Sequence, residues 1–346
     1  MNKKILITGG LGYVGSRACQ EFLSRGYHVT ALDLALYGEG GLHALKENSD
    51  WEGHWENKFK WINGDIRDPS CVAQALIGID TILHLGAISN DPTGEIDDTL
   101  TRQVNFDAIG MLISLAKKNG VTRMINGSSS SVFGIKDDEN VTEILEPEPL
   151  TSYSKYKMLS EWLFLAASSP NFCTVNIRPA TICGVSPRQR FDLTVNKLTA
   201  DAITKKLITV HGGEQRRPNV GMTDIVNLYA ELIEIDPKKI NGKTFNFGFE
   251  NHKVIDIAKI IQQELSDLDV EIQVTETQDH RDYHISSQKI LDELGYQPIS
   301  SIKNEVADLR NSIEGGYFKD INDPTYYNMQ SMELNRKASC YNFLSK

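Results

Sequence analysis

Cysteine is scarce in this chain, which has five cysteines among 346 residues. Their number is odd, no two of them form a CxxC pair, and no histidine cluster lies beside any of them. This pattern indicates reduced cysteines in a cytoplasmic protein and argues against a metal site. The five are Cys19, Cys71, Cys173, Cys183 and Cys340.

Long hydrophobic runs are also missing. The first apolar run follows the lysines of "MNKKILITGG" but is cut by Gly9 after only a few residues. Such a run is too short for the core of a signal peptide or for a membrane span. We therefore expect a cytoplasmic protein that does not enter the membrane.

Positive charge is in deficit, because the formal net charge at pH 7 is -10. The average field repels nucleic acid and anionic membranes, so we expect neither as a partner. An anionic small ligand would have to be bound by cations placed locally. Internal repeats and low-complexity tracts are absent as well.

Apolar residues, in contrast, are plentiful enough for a full core, since 40% of the chain is hydrophobic and 24% is charged. The length favours two lobes. In the first half, short β-rich runs such as "KILITG" and "TILHLGA" alternate with helical segments such as "SRACQEFLSRG". This alternation predicts an α/β fold with a doubly wound parallel sheet.

The regular alternation ends near residue 170, where "RPATICGVSPRQRFD" is rich in Pro and Arg. We expect a Rossmann-type nucleotide-binding domain at 1–177 plus about 219–248. A smaller, discontinuous α/β substrate-binding lobe is predicted at 178–218 and about 249–346. The last stretch, 320–346, receives no structural assignment.

The glycine loop "ILITGGLGYVGS" is the first candidate site. Gly9, Gly12 and Gly15 follow a β-branched run and precede a helical pattern, and Asp33 ends the next predicted strand 18 residues after Gly15. Small residues let the backbone approach a diphosphate, which the helix amino terminus stabilises, and Asp33 would accept hydrogen bonds from a ribose hydroxyl. The residues after Asp33, "LALYG", supply no arginine for a 2'-phosphate, so the loop favours NAD over NADP. The alternative is a simple glycine-rich turn.

The stretch "SYSKYKMLSEWLFLAA" carries the second candidate site. Tyr153 and Lys157 are four residues apart, so on a helix both side chains leave the same face. An ammonium beside a phenol favours the phenolate, which makes Tyr153 a candidate general base. The alternative is a solvated helix face, since many helices carry YxxxK. For the four serines of "SSSSVFG", the alternative to a catalytic role is that they form a turn and bond to nearby backbone groups.

Together these motifs resemble the extended short-chain dehydrogenase/reductase family, and within it the NAD-dependent nucleotide-sugar epimerases and dehydratases. The resemblance runs through "TGGLGYVG", "GDIRD", "HLGA", "SSSSVFG", "YSKYK" and "RPATICG". It implies an enzyme that binds NAD and a nucleotide-diphosphate sugar, and a homodimer built on helix packing. The helix of Tyr153 has a wide apolar surface that agrees with such a dimer.

The resemblance also implies roles for individual residues. The catalytic serine is predicted at Ser129, with Ser128 and Ser130 as the other assignments, and it acts with Tyr153 and Lys157. The predicted cofactor-binding residues are Gly9, Gly12, Tyr13, Val14, Gly15, Asp33, Asp65, Ile66, Leu85, Gly86, Ala87, Asn105, Tyr153, Lys157 and Pro179. The predicted substrate-binding residues are Ser130, Ser131, Arg190, Asn196, Arg217 and Arg281.

The reaction implied is oxidation at C4 of the sugar to a 4-keto intermediate. Dehydration is disfavoured, because Ser130 and Ser131 stand where the family's 4,6-dehydratases carry an Asp-Glu pair. The leading hypothesis is a 4-epimerase, and the alternative is a 4-dehydrogenase that acts on an NDP-hexose or NDP-heptose, such as GDP-heptose, and releases the keto sugar. A non-catalytic nucleotide-binding protein is a third hypothesis, and an NADPH-dependent reductase conflicts with Asp33. Phe133, Gly86 and Cys183 depart from the usual Tyr, Ala and Tyr, so the sugar stays open.

Overall fold

A computed structural model describes residues 3–136, 138, 140–277, 282 and 284–337. The strands are β1 (Lys4–Thr8), β2 (His28–Asp33), β3 (Phe59–Asn63), β4 (Thr81–His84), β5 (Arg123–Gly127), β6 (Cys173–Pro179), β7 (Thr181–Cys183), β8 (Leu207–His211), β9 (Arg216–Gly221), β10 (Lys243–Phe247), β11 (Glu250–Lys253) and β12 (Glu271–Thr275). The α-helices are α1 (Tyr13–Ser24), α2 (Gly40–Lys46), α3 (Pro69–Ala75), α4 (Asp91–Gly94), α5 (Asp98–Arg102), α6 (Ala108–Lys118), α7 (Ser152–Ala167), α8 (Thr194–Lys205), α9 (Met222–Glu234), α10 (Pro237–Ile240), α11 (Val254–Glu264), α12 (Gln288–Leu294), α13 (Ile302–Glu314) and α14 (Asn328–Lys337).

A seven-stranded sheet forms the centre of the molecule, in the order β10-β6-β5-β4-β1-β2-β3. All neighbouring strands in it run parallel. The order reverses between β1 and β4, which is the switch point of a doubly wound sheet. The predicted Rossmann-type fold is therefore confirmed.

Both faces of this sheet are covered, because successive residues of a strand point to opposite sides. Ile5 and Ile7 of β1 belong to the core that α1 and α9 cover, whereas Leu6 belongs to the core beneath α3, α6 and α7. The β-rich runs of the sequence are thus almost wholly apolar because their strands are buried on both sides.

Smaller sheets form beside the large one. The first has the order β11-β9-β7, and the second pairs β12 with β8. A separate apolar core fills the space among α8, α11, α13 and β8, with Val195, Ile208, Ile257 and Val306 fully buried in it. The chain returns to the large sheet at β10 in between. The exact domain boundaries stay a prediction.

The segment from Asp320 to Lys337, which received no assignment from its sequence, forms a short 3-10 turn at Pro324–Tyr326 and then α14. Met332 of α14 is fully buried among Ile88, Leu100 and the partly buried Leu34 and Leu36. The segment therefore packs against the loops that follow β2 and β4. Within the described residues, no helix is long and apolar enough to cross a bilayer.

Candidate active site

A cavity of about 300 Å³ lies where the loops after β1, β2, β4, β5 and β6 meet. These loops follow the carboxyl ends of parallel strands at the point where the strand order reverses, which is where such sheets bind ligands. Most of the predicted site residues line it. They are Gly9, Gly12, Tyr13, Val14, Gly15, Asp33, Asp65, Ile66, Leu85, Gly86, Ala87, Ser129, Ser130, Ser131, Tyr153, Lys157, Pro179 and Arg190.

The glycine loop leaves no space for side chains where the backbone turns. Gly9 has a φ of 70°, and a β-carbon there would lie 2.8 Å from the backbone nitrogen of Gly86. A β-carbon at Gly15 would overlap the carbonyl oxygen of Gly9. The helix α1 then begins after Gly12 with no side-chain cap and no acidic residue in its first turn. Its amino terminus is therefore suited to a diphosphate, as NAD requires.

Asp33 forms the next part of the cavity wall. Its Oδ2 accepts a hydrogen bond from the Leu11 amide at 2.9 Å, and its Oδ1 accepts one from the Ala35 amide at 2.8 Å. Burial raises the pKa of Asp33, while these two amides and the Arg188 guanidinium partly oppose the rise. Each carboxylate oxygen keeps a second lone pair, which can accept a ribose hydroxyl.

The strand ends on the other side of the glycine loop are joined through Thr8 and His84. The Thr8 hydroxyl lies 2.8 Å from Nδ1 of His84, and the Gly86 amide donates to the same hydroxyl at 3.1 Å. Burial and the nearby Lys157 lower the pKa of His84 to about 3. His84 is thus a neutral structural residue. Asp65 follows β3, which lies on the other side of β1, and is ion-paired to Arg67 at 2.6 Å.

Tyr153 and Lys157 both lie on α7 and point into the cavity. A capping box fixes the start of this helix, since Thr151 and Ser154 bond to each other's backbone amides. The Lys157 ammonium donates to the Gly127 carbonyl at 2.7 Å. Burial lowers the pKa of Lys157 to about 8, against the opposing effect of Glu161. The two residues are therefore held on one buried helix face, rather than on a solvated one.

The serine run lies at the end of β5, and its members have different partners. The Ser128 hydroxyl donates to Glu161, whose carboxylate is also paired with Arg178 at 2.7 Å. The Ser129 hydroxyl lies 2.8 Å from that of Ser131 and caps the 3-10 turn Ser130–Phe133. Because Ser128 is engaged in a buried ion-pair network, the geometry favours Ser129 over Ser128 for contact with a ligand. The choice stays a prediction.

Both asparagines among the predicted site residues lie outside the cavity lining that the structure describes. Asn105 bonds to both backbone groups of Ile88, accepting at 2.8 Å and donating at 3.0 Å. Asn196 accepts from the Gly184 amide at 2.9 Å and donates to the Arg190 carbonyl at 2.8 Å. Both side chains thus support the loops that form the wall.

The predicted arginines are placed differently from one another. Arg190 lines the cavity, but Asp192 pairs with it through two hydrogen bonds of 2.8 and 2.9 Å. Arg217 lies on β9, away from the described lining of the cavity, and Arg281 lies outside the described residues.

Sequence reasoning missed several polar residues of the cavity wall, among them Tyr37, Arg188, Tyr229 and Asn328. The short segment after Asp33 has no arginine, yet the fold brings Arg188 beside Asp33 from elsewhere in the chain. Its only sequence signal was the basic "PRQR" stretch, from which Arg190 was selected. Tyr229 and Asn328 belong to no motif.

Comparisons with known proteins agree with this geometry. The sequence model of the NAD dependent epimerase/dehydratase family matches residues 5–248. UDP-glucuronic acid decarboxylase 1 of Xenopus tropicalis is 28% identical over 311 residues, which cover 86% of this chain and 69% of that protein. An uncharacterised UDP-glucose epimerase of Bacillus subtilis is 26% identical over 325 residues, which cover 90% of this chain and 99% of that protein.

This chain is also similar to a protein of known structure. The UDP-glucuronic acid 4-epimerase from Bacillus cereus, in complex with UDP-glucuronic acid and NAD, superposes with a TM-score of 0.76 at 26% identity. The match covers 89% of this chain and 99% of that one.

Proposed function

Because this chain belongs to the NAD-dependent epimerase/dehydratase family, we propose that it oxidises C4 of a nucleotide-diphosphate sugar and acts as a 4-epimerase. Membership confirms the predicted resemblance, the enzyme class and the NAD cofactor. What we propose is that the substrate is a nucleotide-diphosphate sugar and that the reaction is 4-epimerisation. They rest on the cavity and on the relatives, two of which are named for UDP-sugar epimerisation.

The observation that carries the proposal is the placement of Ser129, Tyr153 and Lys157 in one cavity with the glycine loop, where Tyr153 and Lys157 are buried. Tyr153 would take the proton of the C4 hydroxyl, and Lys157, held at Gly127, would supply positive charge beside it. Ser129 would hydrogen-bond the same sugar oxygen. NAD, when bound, supplies the hydride acceptor.

Ser130 and Ser131 separate this proposal from dehydration. Both line the cavity just after Ser129, and neither hydroxyl has the acidity to protonate a departing hydroxide at neutral pH. Removal of water from the keto sugar would therefore lack its acid. Release of the 4-keto sugar by a dehydrogenase uses the same three catalytic groups and differs only in the fate of the intermediate.

Mass spectrometry of a panel of UDP-, GDP-, dTDP- and CDP-sugars, incubated with the protein and NAD, tests the proposal. Chromatography is coupled to it so that isomers separate. A new peak of unchanged mass is expected. A loss of two hydrogens would replace the epimerase with the dehydrogenase, and loss of water or of carbon dioxide would contradict both.

We also propose that the protein is a homodimer that packs through α7. On this helix Trp162 has 54% of its surface exposed, although Phe164 two residues later is fully buried. An exposed tryptophan on a helix surface is suited to contact with a partner. Sedimentation is expected to give a dimer that Trp162→Glu weakens, while Ile77→Glu, at an exposed apolar position away from α7, leaves it intact. A monomeric wild-type chain would contradict this.

A further inference from the structure

Arg188 is a buried cation without a carboxylate partner among the described residues. Only 3% of its surface is exposed. Its Nη2 donates to the Thr325 carbonyl at 2.8 Å, but its Nε is buried and has no hydrogen-bond partner in the described part of the chain. The nearby Arg190 differs, because Asp192 pairs with it fully. Leaving a buried guanidinium unpaired is costly, so this position is suited to an anion that is supplied by a ligand.

Tyr37 adds a second unsatisfied group at the same place. The Arg188 guanidinium stacks over its ring, with 4.5 Å from the guanidinium carbon to the ring centre. The Tyr37 hydroxyl is buried, and none of the described residues bonds to it. Both side chains line the cavity that contains Asp33 and the glycine loop. Two adjacent donors without a partner among the described residues therefore lie in the wall of one ligand space.

The position of Arg188 along the cavity indicates which part of a ligand it meets. Its backbone amide donates to the hydroxyl of Ser16, in the first turn of α1, at 3.2 Å. From there its side chain reaches the loop that follows Asp33. The first turn of α1 attracts a diphosphate through its free amides. Asp33, in contrast, repels a phosphate on the adenosine 2' position.

The loop after β2 explains why such a residue is needed. Between Asp33 and Tyr37 it contains Leu34, Ala35 and Leu36, whose side chains offer no donor to a phosphate. The basic group therefore comes from a distant segment. The carbonyl of Thr325, in the segment that precedes α14, fixes its orientation.

We propose that Arg188, assisted by Tyr37, binds the diphosphate of NAD beside the first turn of α1. This inference rests on the NAD dependence of the family and not on the proposed sugar reaction. It gives the segment around Thr325 a function, since this segment orients a cofactor-binding arginine.

Isothermal titration calorimetry on the full chain, without sugar, tests the inference with NAD, ADP, adenosine and NADP. Arg188→Gln is expected to raise the Kd for NAD and for ADP about 10- to 100-fold, as loss of a charged hydrogen bond does, and to leave adenosine unchanged. Arg188→Lys should fall in between, because it keeps the charge but loses the planar fork. Tyr37→Phe should raise the Kd for the same two ligands by a factor of about 3 to 10. This substitution hardly changes the volume of the side chain.

Arg310→Gln is the matched control, since Arg310 is ion-paired to Asp267 on the exposed face of α13. It should leave all four affinities unchanged. Equal weakening of adenosine and ADP by Arg188→Gln would indicate a packing role, and a loss confined to NADP would assign Arg188 to the 2' position. Either result, or unchanged NAD binding, overturns the inference. If Arg188→Gln fails to fold, Tyr37→Phe still decides. Because no sugar is present, failure of the proposed epimerase reaction would not alter these results.

Discussion

The two ends of the cavity are built in different ways. At the first end, the lining residues directly follow β1, β2, β4 and β5, so the parallel sheet itself brings them to one edge. At the second end, Arg188 and Arg190 come from one irregular loop and Asn328 comes from a segment far away in sequence. Contacts such as those of Thr325 with Arg188 and of Asn328 with Asp192 hold them. The first end needs a correct strand order, whereas the second needs a specific set of tertiary contacts.

Removal of the Tyr153 phenol should give the largest effect. Tyr153→Phe is expected to lower kcat about 10²- to 10⁴-fold, because the general base is lost, while the Kd for NAD changes little. Tyr156→Phe is the control on the same helix, since its hydroxyl bonds to Asp98 at 3.1 Å, away from the described cavity lining. Turnover assays and NAD titrations on both variants measure this. Full turnover in Tyr153→Phe would refute the catalytic assignment of this residue, whereas a wild type without turnover on any nucleotide sugar would favour a non-catalytic protein.

The contacts that hold the second end can be weakened through the packing of α14. Met332→Ala leaves a hole beside Ile88 and Leu100, and such truncations cost about 2–5 kcal/mol. We expect faster amide exchange in residues 320–335 and weaker NAD binding, because Arg188 loses its support. Met329→Ala on the same helix, at a position that is 41% exposed, is the control. If exchange accelerates but NAD affinity is unchanged, the segment has no part in cofactor binding.

The comparison also explains how far the sequence alone could predict the site. Gly9, Gly15, Asp33, Tyr153 and Lys157 were predictable, because each is defined by its spacing to a strand or helix and the sheet then places it. The doubly wound parallel fold followed from the same alternation of strands and helices.

The second end was not predictable in this way. Arg188 and Arg190 are two residues apart in an irregular loop, where no period indicates which guanidinium is paired and which is not. Asn196 looked like a site residue, but it lies outside the described lining and supports the wall, because it bonds to backbone groups of Gly184 and Arg190 and donates to the Tyr13 hydroxyl. The segment 320–337 carries no motif, and its place depends on Met332 and on backbone hydrogen bonds to distant loops.

A substitution in the glycine loop, at the first end, is expected to have a smaller effect. In Gly15→Ala the new methyl group would overlap the Gly9 carbonyl, and such overpacking typically costs about 1–3 kcal/mol. NAD binding should weaken as well, since the loop must shift to relieve the overlap. Gly40→Ala is the control, because no atom lies within 4 Å of a β-carbon there. Chemical unfolding and NAD titration measure the two effects. A Gly15→Ala variant that binds NAD normally would show that the loop is not held as tightly as the geometry requires.

The smallest effect concerns Glu305 of α13, whose carboxylate lies against Gly184, just before the loop of the second end. Its carboxylate occupies the space that a β-carbon at Gly184 or Gly221 would fill, and it accepts from the Ser300 hydroxyl at 2.8 Å. Burial raises its pKa to about 7 from an ordinary value of 4.5, although Ser300 and Thr223 oppose the rise. Because the folded state holds this proton more tightly than the unfolded state, the contribution to stability is complete below pH 4.5 and is lost as the pH rises through 7.

Glu305→Gln removes this titration while it keeps the size of the side chain. Between pH 6 and pH 8 the wild type should therefore lose about 1 kcal/mol of unfolding free energy more than the variant does. Urea unfolding at the two pH values measures the difference. Asp308→Asn, on the same helix, is the control, since it removes only a neighbouring charge. Glu305 contacts the chain at Gly184, just before the loop that carries Arg188 and Arg190. If the affinity for NAD falls over the same pH range as the stability, the ionisation of Glu305 in the smaller lobe is coupled to cofactor binding. If stability changes with pH in the same way in both proteins, the carboxylate is ionised in the folded state and the second end holds its buried charge by other contacts.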